Sequence, residues 1–379
     1  MYKKQSQPKG NDLGKDRVGH LLFKLALPAI VAQLVNMLYN IVDRMFIGHI
    51  PGIGATALTG VGVTFPIIMF IFAFSDLIGS GGAPQASIQM GRKNNKAAEN
   101  ILGNCLASLL VVSIVLTIFF LAFLKPLLLL FGASTETLPY ASAYLQIYLC
   151  GTIFVLISSG LNSFITAQGF ARISMFTVIL GATLNIILDP LFIFGFHLGV
   201  QGAALATVIA QAISSLWVLR FLLGQTSKWR IRKQYFKLQS SVLWPVLALG
   251  ISPFIMKSTE SLLNIAFNIS LQHYGGDIAV GSMTILFSIM QMLFLPLVGL
   301  TQGSQPIVGF NYGAQNYTRV KQAFRLLLIS CLVFSCGYWL ILMLFPKPFI
   351  SFFNNDPTLV STTVWAVSYT HLDVYKRQG

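Results

Sequence analysis

The chain has 379 residues, 55% of them hydrophobic and 9% charged, with a formal net charge of +14. Soluble domains carry about 25% charged residues, so this composition excludes a soluble globular protein and marks an integral membrane protein. Apolar runs of about 20 residues, enough to cross a hydrocarbon core of about 30 Å, recur along the chain, and spans of this length are helices rather than barrel strands.

In chain order, residues 1–20 form a polar tail with no short apolar core and small-residue cleavage site, so no removable signal peptide is expected. Spans are expected near residues 21–46, 55–80, 100–124, 140–167, 173–196, 200–223, 243–271, 278–300 and 324–345. The expected fold class is therefore an all-α integral membrane protein with about nine full spans and the start of a tenth near Pro357. Residues 21–224 make a first lobe of six transmembrane helices, 225–242 a basic cytoplasmic linker, and 243–367 an incomplete second lobe. The polar run SYTHLDVYKRQG, residues 368–379, cannot continue a span and reads as a non-native tail.

The positive charge follows topology rather than a nucleic-acid face. Lys3, Lys4, Lys9, Lys15 and Arg17 precede the first span with Lys24 at its start, Arg92, Lys93 and Lys96 follow the second, and Arg172 follows the fourth. Lys228, Arg230, Arg232, Lys233 and Lys237 follow the sixth, and Arg319, Lys321 and Arg325 the eighth. The intervening connections hold little beyond Arg44, Lys125 and Lys347, which places the N-terminus and every even-to-odd loop in the cytoplasm of a cell-membrane protein.

An internal repeat relates GSGGAPQASIQMGRKNNKAAEN (residues 79–100) to TQGSQPIVGFNYGAQNYTRVKQ (residues 301–322), 222 positions later. Gly81 aligns with Gly303, Pro84 with Pro306, Gly91 with Gly313 and Asn94 with Asn316. Six spans intervene, so the halves share one orientation about an axis along the membrane normal, a transporter layout. If the first half occupies about 220 residues, a complete second half would run past Gly379, so the chain reads as C-terminally truncated.

Acids within the spans carry the chemistry, because a charge at the centre of a spanning helix costs about 2.5 to 3.5 kcal/mol and is kept where it handles ions or substrate. Asp43 lies six residues before His49, Asp189 eight before His197, and Thr207 eight after Gly199. At 1.5 Å per residue the last two lie about 12 Å below the outer helix ends, level with Asp43. Tyr39 precedes Asp43 by four residues and Asn185 precedes Asp189 by four, which puts each pair on one helix face. Two carboxylates, an amide, a phenol and a hydroxyl suit a proton or a hard cation such as sodium, and Pro190 frees the Ile186 carbonyl beside them. The bland alternative is that Asp43 approaches the outer interface while Asp189 bonds between helices. Glu260, with Asn264 one turn on and Lys257 nearly one turn earlier, forms either a second ion or substrate site or a simple Lys257–Glu260 pair. Asp76 is deep and has no clear partner, and Arg44 is expected to snorkel to the outer surface.

Cys105, Cys150, Cys331 and Cys336 fall in apolar runs without a CxxC and read as small buried residues. The five His lie in loops, flanks or the tail, and no catalytic or phosphate-loop motif occurs. No cofactor, nucleic acid or obligate protein partner is expected, and chemistry on bonds is disfavoured. Thirty Phe and eleven Met supply polarizable apolar surface for lipid, core or flat lipophilic cations.

The runs LALPAIVAQLVNMLYNIVDRMFIG, LNIILDPLFIFG with GVQGAALATVIAQ, and QGSQPIVGFNYGAQN together resemble multidrug and toxic compound extrusion (MATE) transporters, most of all the MepA-type branch. The resemblance implies twelve helices in two six-helix lobes, alternating access, and export of cationic or amphiphilic drugs in exchange for sodium ions or protons. It also implies a cation site at Tyr39, Asp43, Asn185, Asp189 and Thr207, and an acidic position at Glu260. A lipid-linked precursor flippase or polysaccharide exporter of the wider superfamily is the nearer alternative, supported by Lys257 alone. A membrane-embedded enzyme or scaffold is the more distant one.

Overall fold

The structure, a computed structural model, describes residues 12–345, and most side chains between positions 261 and 288 lie outside that description. The expected tenth span and the 368–379 tail also lie outside it. The described residues are helical: α1 (Val18–Gly48), α2 (Gly54–Gly91), α3 (Asn95–Ala122), α4 (Leu124–Leu130), α5 (Leu138–Cys150), α6 (Thr152–Ala167), α7 (Ala171–Pro190), α8 (Val200–Leu223), α9 (Ser240–Gly313) and α10 (Tyr317–Leu344). Seven of them are long and apolar enough to cross a membrane, and α5 with α6 makes an eighth. The protein is a multi-pass membrane protein.

Its outside is apolar. Ile114, Val115 and Ile118 on α3 and Leu332 and Val333 on α10 are exposed, while Ile67, Ile71 and Leu109 are buried, as expected where hydrocarbon replaces water around the bundle. This separates the cysteines, all expected to be buried. Cys105 is buried, Cys331 is half-buried, and Cys150 and Cys336 are exposed on the outer face.

Three expected spans differ from the observed helices. The fourth, 140–167, is broken between α5 and α6 by a bend of 58° at Gly151. A Cβ at Gly151 would lie 2.5 Å from Val208 Cγ2, so glycine lets α8 press into the elbow. The seventh and eighth are one continuous helical stretch, α9, of 74 residues. A straight helix of that length would extend about 111 Å. Instead Val246 and Gly250 meet α2 at Gly81 and Leu77, in antiparallel order, while Gly309 and Gly313 meet Ser87 and Ile88 in parallel order. The two limbs of α9 therefore run in opposite directions, and the chain reverses between Gly250 and Gly299.

The repeat is visible as structure. Asn94 caps α3 by accepting from Ala97 N at 3.1 Å, and Asn316 caps α10 by accepting from Arg319 N at 3.3 Å. Each cap follows a left-handed residue, Lys93 (φ 60°) and Gln315 (φ 58°). The basic stretch between α8 and α9 is docked rather than loose. Gln168 Oε1 accepts from Ser227 Oγ at 3.0 Å and Lys228 N at 2.7 Å, Glu99 Oε2 from Arg232 Nε at 2.6 Å, and Asn104 Oδ1 from Gln239 N at 2.8 Å. Trp229, with no exposed surface, plugs it into the bundle.

Candidate cation-binding site

Tyr39 and Asp43 stand one turn apart on α1, Asn185 and Asp189 one turn apart on α7, and Thr207 on α8 completes the group. Asn185 Nδ2 donates to Asp189 Oδ1 at 3.1 Å and to Thr207 Oγ1 at 3.3 Å. Thr207 Oγ1 in turn donates to the Ala203 carbonyl at 3.1 Å, so its lone pairs face the amide. Asp43 reaches Asp189 from α1, close enough for the two carboxyl groups to share a hydrogen bond once one holds a proton. The five residues singled out from spacing are thus brought together.

Local sequence explains the placement. Pro190 has no N–H to continue the helix, and the chain widens into a π turn over Leu191–Gly195, closed by Phe196 N on the Leu191 carbonyl at 2.9 Å. Gly199, at φ 55°, reverses the chain into α8. Gly202 then lets α8 lie against the Phe192 backbone, where a Cβ would come within 2.7 Å of the carbonyl carbon. That contact sets the register that brings Thr207 to Asn185.

Three oxygens in the cluster lack a donor: Asp43 Oδ1, Asp189 Oδ2 and Asn185 Oδ1 are each buried without a hydrogen-bond partner. Asp189 has no exposed surface and Asn185 only 2%, so bulk water does not supply the missing bonds. Orphaned acceptors of this kind are rare in folded proteins and call for an explanation. Three acceptors from two helices, two of them carboxylate, form the donor set of a proton or a hard cation.

Sequence reasoning missed two members. Tyr144 and Tyr148 on α5 are buried, with ring centroids 6.2 Å apart, and Tyr144 lies within electrostatic range of Asp43, Tyr39 and Thr207. The signal was present as Tyr140, Tyr144 and Tyr148 at four-residue spacing. Arg44 is exposed, with its guanidinium 5.0 Å above the Phe65 ring, and its charge acts on the neighbouring Asp43 carboxyl.

At the second candidate site, Lys257 forms an ion pair with Asp76 on α2, the acid without an evident partner. Glu260 is exposed, and the Asn264 side chain lies outside the described ones.

The fold is that of a multi-pass helical membrane protein whose bundle encloses a cluster of polar and acidic side chains, the layout of a membrane transporter. The chain belongs to the MatE family, whose members are transporters and not enzymes: the family model matches residues 28–191 and 253–373. It is similar to the multidrug export protein MepA of Staphylococcus haemolyticus, with 28% identity over 353 residues, 93% of this chain and 77% of that protein. MepA of Staphylococcus aureus is 25% identical over 356 residues, covering 94% and 78%. Among solved structures, an outward-facing multidrug resistance MATE family transporter of the MOP superfamily superposes with a TM-score of 0.87 at 23% identity, covering 96% of this chain and 81% of that one. A MOP superfamily transporter from Pyrococcus furiosus gives the same values, and for it a pocket of reversed polarity and a different function have been suggested.

Proposed function

We propose that the protein is a secondary active antiporter that exports cationic or amphiphilic drugs across the cytoplasmic membrane, N-terminus inside, in exchange for sodium ions or protons. The multidrug export role of the MepA relatives supports the substrate class. The observation that carries the coupling is the triad of buried unpartnered oxygens, Asp43 Oδ1, Asp189 Oδ2 and Asn185 Oδ1.

Two adjacent carboxylates in a low dielectric repel, and a cation or proton that enters between them relieves the repulsion and fills the empty acceptor positions. Asn185 and Thr207 hold one carboxylate still while α1 carries the other, so loading pulls α1 towards α7. Residues 21–224 would move as one lobe against 243–367, with the docked stretch 225–242 riding on the first. Coupling requires that ion and drug each bind the two states of the lobes with different affinity. The flippase reading leaned on Lys257 as a cavity cation, but that ammonium is already paired with Asp76.

Ethidium efflux from vesicles containing the protein, with sodium and proton gradients imposed separately, tests this reading. One gradient is expected to drive efflux and Asp189→Asn to abolish it; undiminished gradient-driven efflux in that variant refutes the assignment.

A further inference from the structure

Residues 12–17 lead into α1 but are held by α9 and α10. Asn311, near the end of α9 and 1% exposed, donates from Nδ2 to the Leu13 carbonyl at 3.0 Å. Arg319 on α10 donates from Nη2 to the same carbonyl at 3.2 Å and to the Asp16 carbonyl at 2.6 Å. Its Nε donates to Asn311 Oδ1 at 3.1 Å, so one guanidinium braces both the segment and the amide that holds it. Leu13, 2% exposed, is the apolar plug. The segment is shaped for this by its own turn, in which Gly14 N donates to Asp12 Oδ1 at 3.0 Å and Asp12 N to Asp16 Oδ2 at 3.1 Å.

The repeat shows that these groups are special to one side. At its spacing of 222 positions Arg319 aligns with Ala97 and Asn311 with Gln89, so neither belongs to the frame that the halves share. Topology asks only for positive charge at this end, which lysine supplies as well. A guanidinium forked onto main-chain carbonyls is a more specific clamp. Leu13 aligns with Tyr235, which lies against Gly103 on α3 in the docked stretch before α9, and Asp12 is within electrostatic range of Lys228 in that same stretch. The two straps therefore meet across the basic-loop end. Helix α1 is itself shared. Its inner half lies on the second limb of α9, where a Cβ at Gly303 would come within 2.5 Å of Ala26 and one at Gly299 within 2.6 Å of Ile30, while its outer half carries Tyr39 and Asp43 into the cluster with α7.

We propose that residues 12–17 are a latch that holds the basic-loop end shut, and that this end opens only after Arg319 releases the Leu13 and Asp16 carbonyls. Polar bonds at the margin of a tight seam suit a part that must let go, because water replaces them on release at a small net cost. Release frees the inner half of α1 to leave α9 and move with α7, while α10 stays with the second limb of α9. The proposal deepens the alternating-access reading and takes its division into lobes from it. The opening itself belongs to the resting protein and is measured without an ion gradient or drug.

The test is pulsed electron resonance between spin-label pairs in the full chain, cysteines replaced, in phospholipid vesicles without a gradient. Labels at Lys15 and Lys321 read the latch, and labels at Arg92 and Ala314 read the basic-loop end. Arg319→Gln is expected to lengthen the first distance and to raise the ratio of long to short second distances at least about fivefold, the scale of losing hydrogen bonds from a charged donor. Arg319→Lys keeps the charge without the fork and should move both distances the same way. Leu13→Lys expels the plug while leaving Arg319 and the helices unaltered, is expected to give the same shifts, and decides the matter should the Arg319 variants fail to fold. A freed Lys15 label with an unchanged Arg92–Ala314 distribution would mark a surface staple and overturn the proposal, as would a Lys15 label that stays in place in these variants. Undiminished efflux in Asp189→Asn bears on the antiport reading alone, and these distances on the latch alone.

Discussion

Gly91 and Gly313 make reciprocal contacts: Gly91 rests on the Phe310 carbonyl, and Gly313 rests on the Ile88 carbonyl. Ile88 and Phe310 are separated by the same 222 positions as the two glycines, so the contact maps onto itself when the halves of the repeat are exchanged. Ser87 and Gly309, also equivalent, meet near the centre of the seam, where Ser87 Oγ donates to the Pro306 carbonyl at 3.4 Å. Small residues allow such close approach of helix backbones in membranes, where dispersion rather than water exclusion drives association. The sequence repeat is thus the two sides of one pseudo-twofold interface at the basic-loop end.

Valine at Gly313 cannot fit against the Ile88 carbonyl, so Gly313→Val should force the seam apart at a cost of about 1 to 3 kcal/mol for overpacking. Spin labels at Arg92 and Ala314 would read the change as a longer mean distance; an unaltered distance distribution would contradict the close contact.

Thr207→Val removes the hydroxyl that accepts from Asn185 while nearly keeping its shape. A net loss of about 1 kcal/mol is expected for one buried neutral hydrogen bond. The amide would be freer to turn, and the coupling-ion concentration giving half-maximal efflux should rise several-fold with little change in thermal stability. Unchanged ion dependence would separate Thr207 from the site.

Trp229→Ala should be among the most destabilising single changes, because the indole is fully buried and truncation of this size costs about 3 to 5 kcal/mol. Protease sensitivity of the 225–239 stretch, measured beside the melting temperature, should rise with it. Burial lowers the pKa of Lys228 in the same strap below its usual 10.5. The docked state therefore sheds the proton before the undocked one, and docking should strengthen as pH rises through the lowered value towards 10.5. Lys228→Met is expected to remove that gain; a persistent pH effect in this variant would assign it elsewhere.

Asn94→Ala and Asn316→Ala each remove a helix N-cap, worth about 1 kcal/mol. Equal losses of thermal stability in the two variants would follow from their equivalence in the repeat, whereas an effect at only one site would show that the two connections differ in role.

Much of the site was legible because its signals are local. The depth of Asp43, Asp189 and Thr207 follows from counting residues at fixed rise from an outer loop. The four-residue spacing of Tyr39 to Asp43 and Asn185 to Asp189 fixes which faces they share. Tyr144 and Tyr148 escaped because buried tyrosines at helical spacing look like ordinary core, and only the 58° elbow at Gly151 with the pressure of Val208 shows where α5 points. The partner of Lys257 escaped for a related reason. Glu260 is close in sequence, but Asp76 is brought to the ammonium by the antiparallel contact of α2 with the first limb of α9.

The sequence by itself determined the membrane class, the helical character of its apolar runs, the internal repeat and the one-turn spacing of Tyr39 to Asp43 and of Asn185 to Asp189, because hydrocarbon thickness and helical rise act on residue counts directly. Tertiary structure alone decided which helix faces meet: the convergence of α1, α7 and α8, the doubling back of α9, the docking of Trp229 and the pairing of Lys257 with Asp76. Those depend on close packing between residues far apart in the chain, where one glycine against one carbonyl sets the register, and no local pattern encodes that choice.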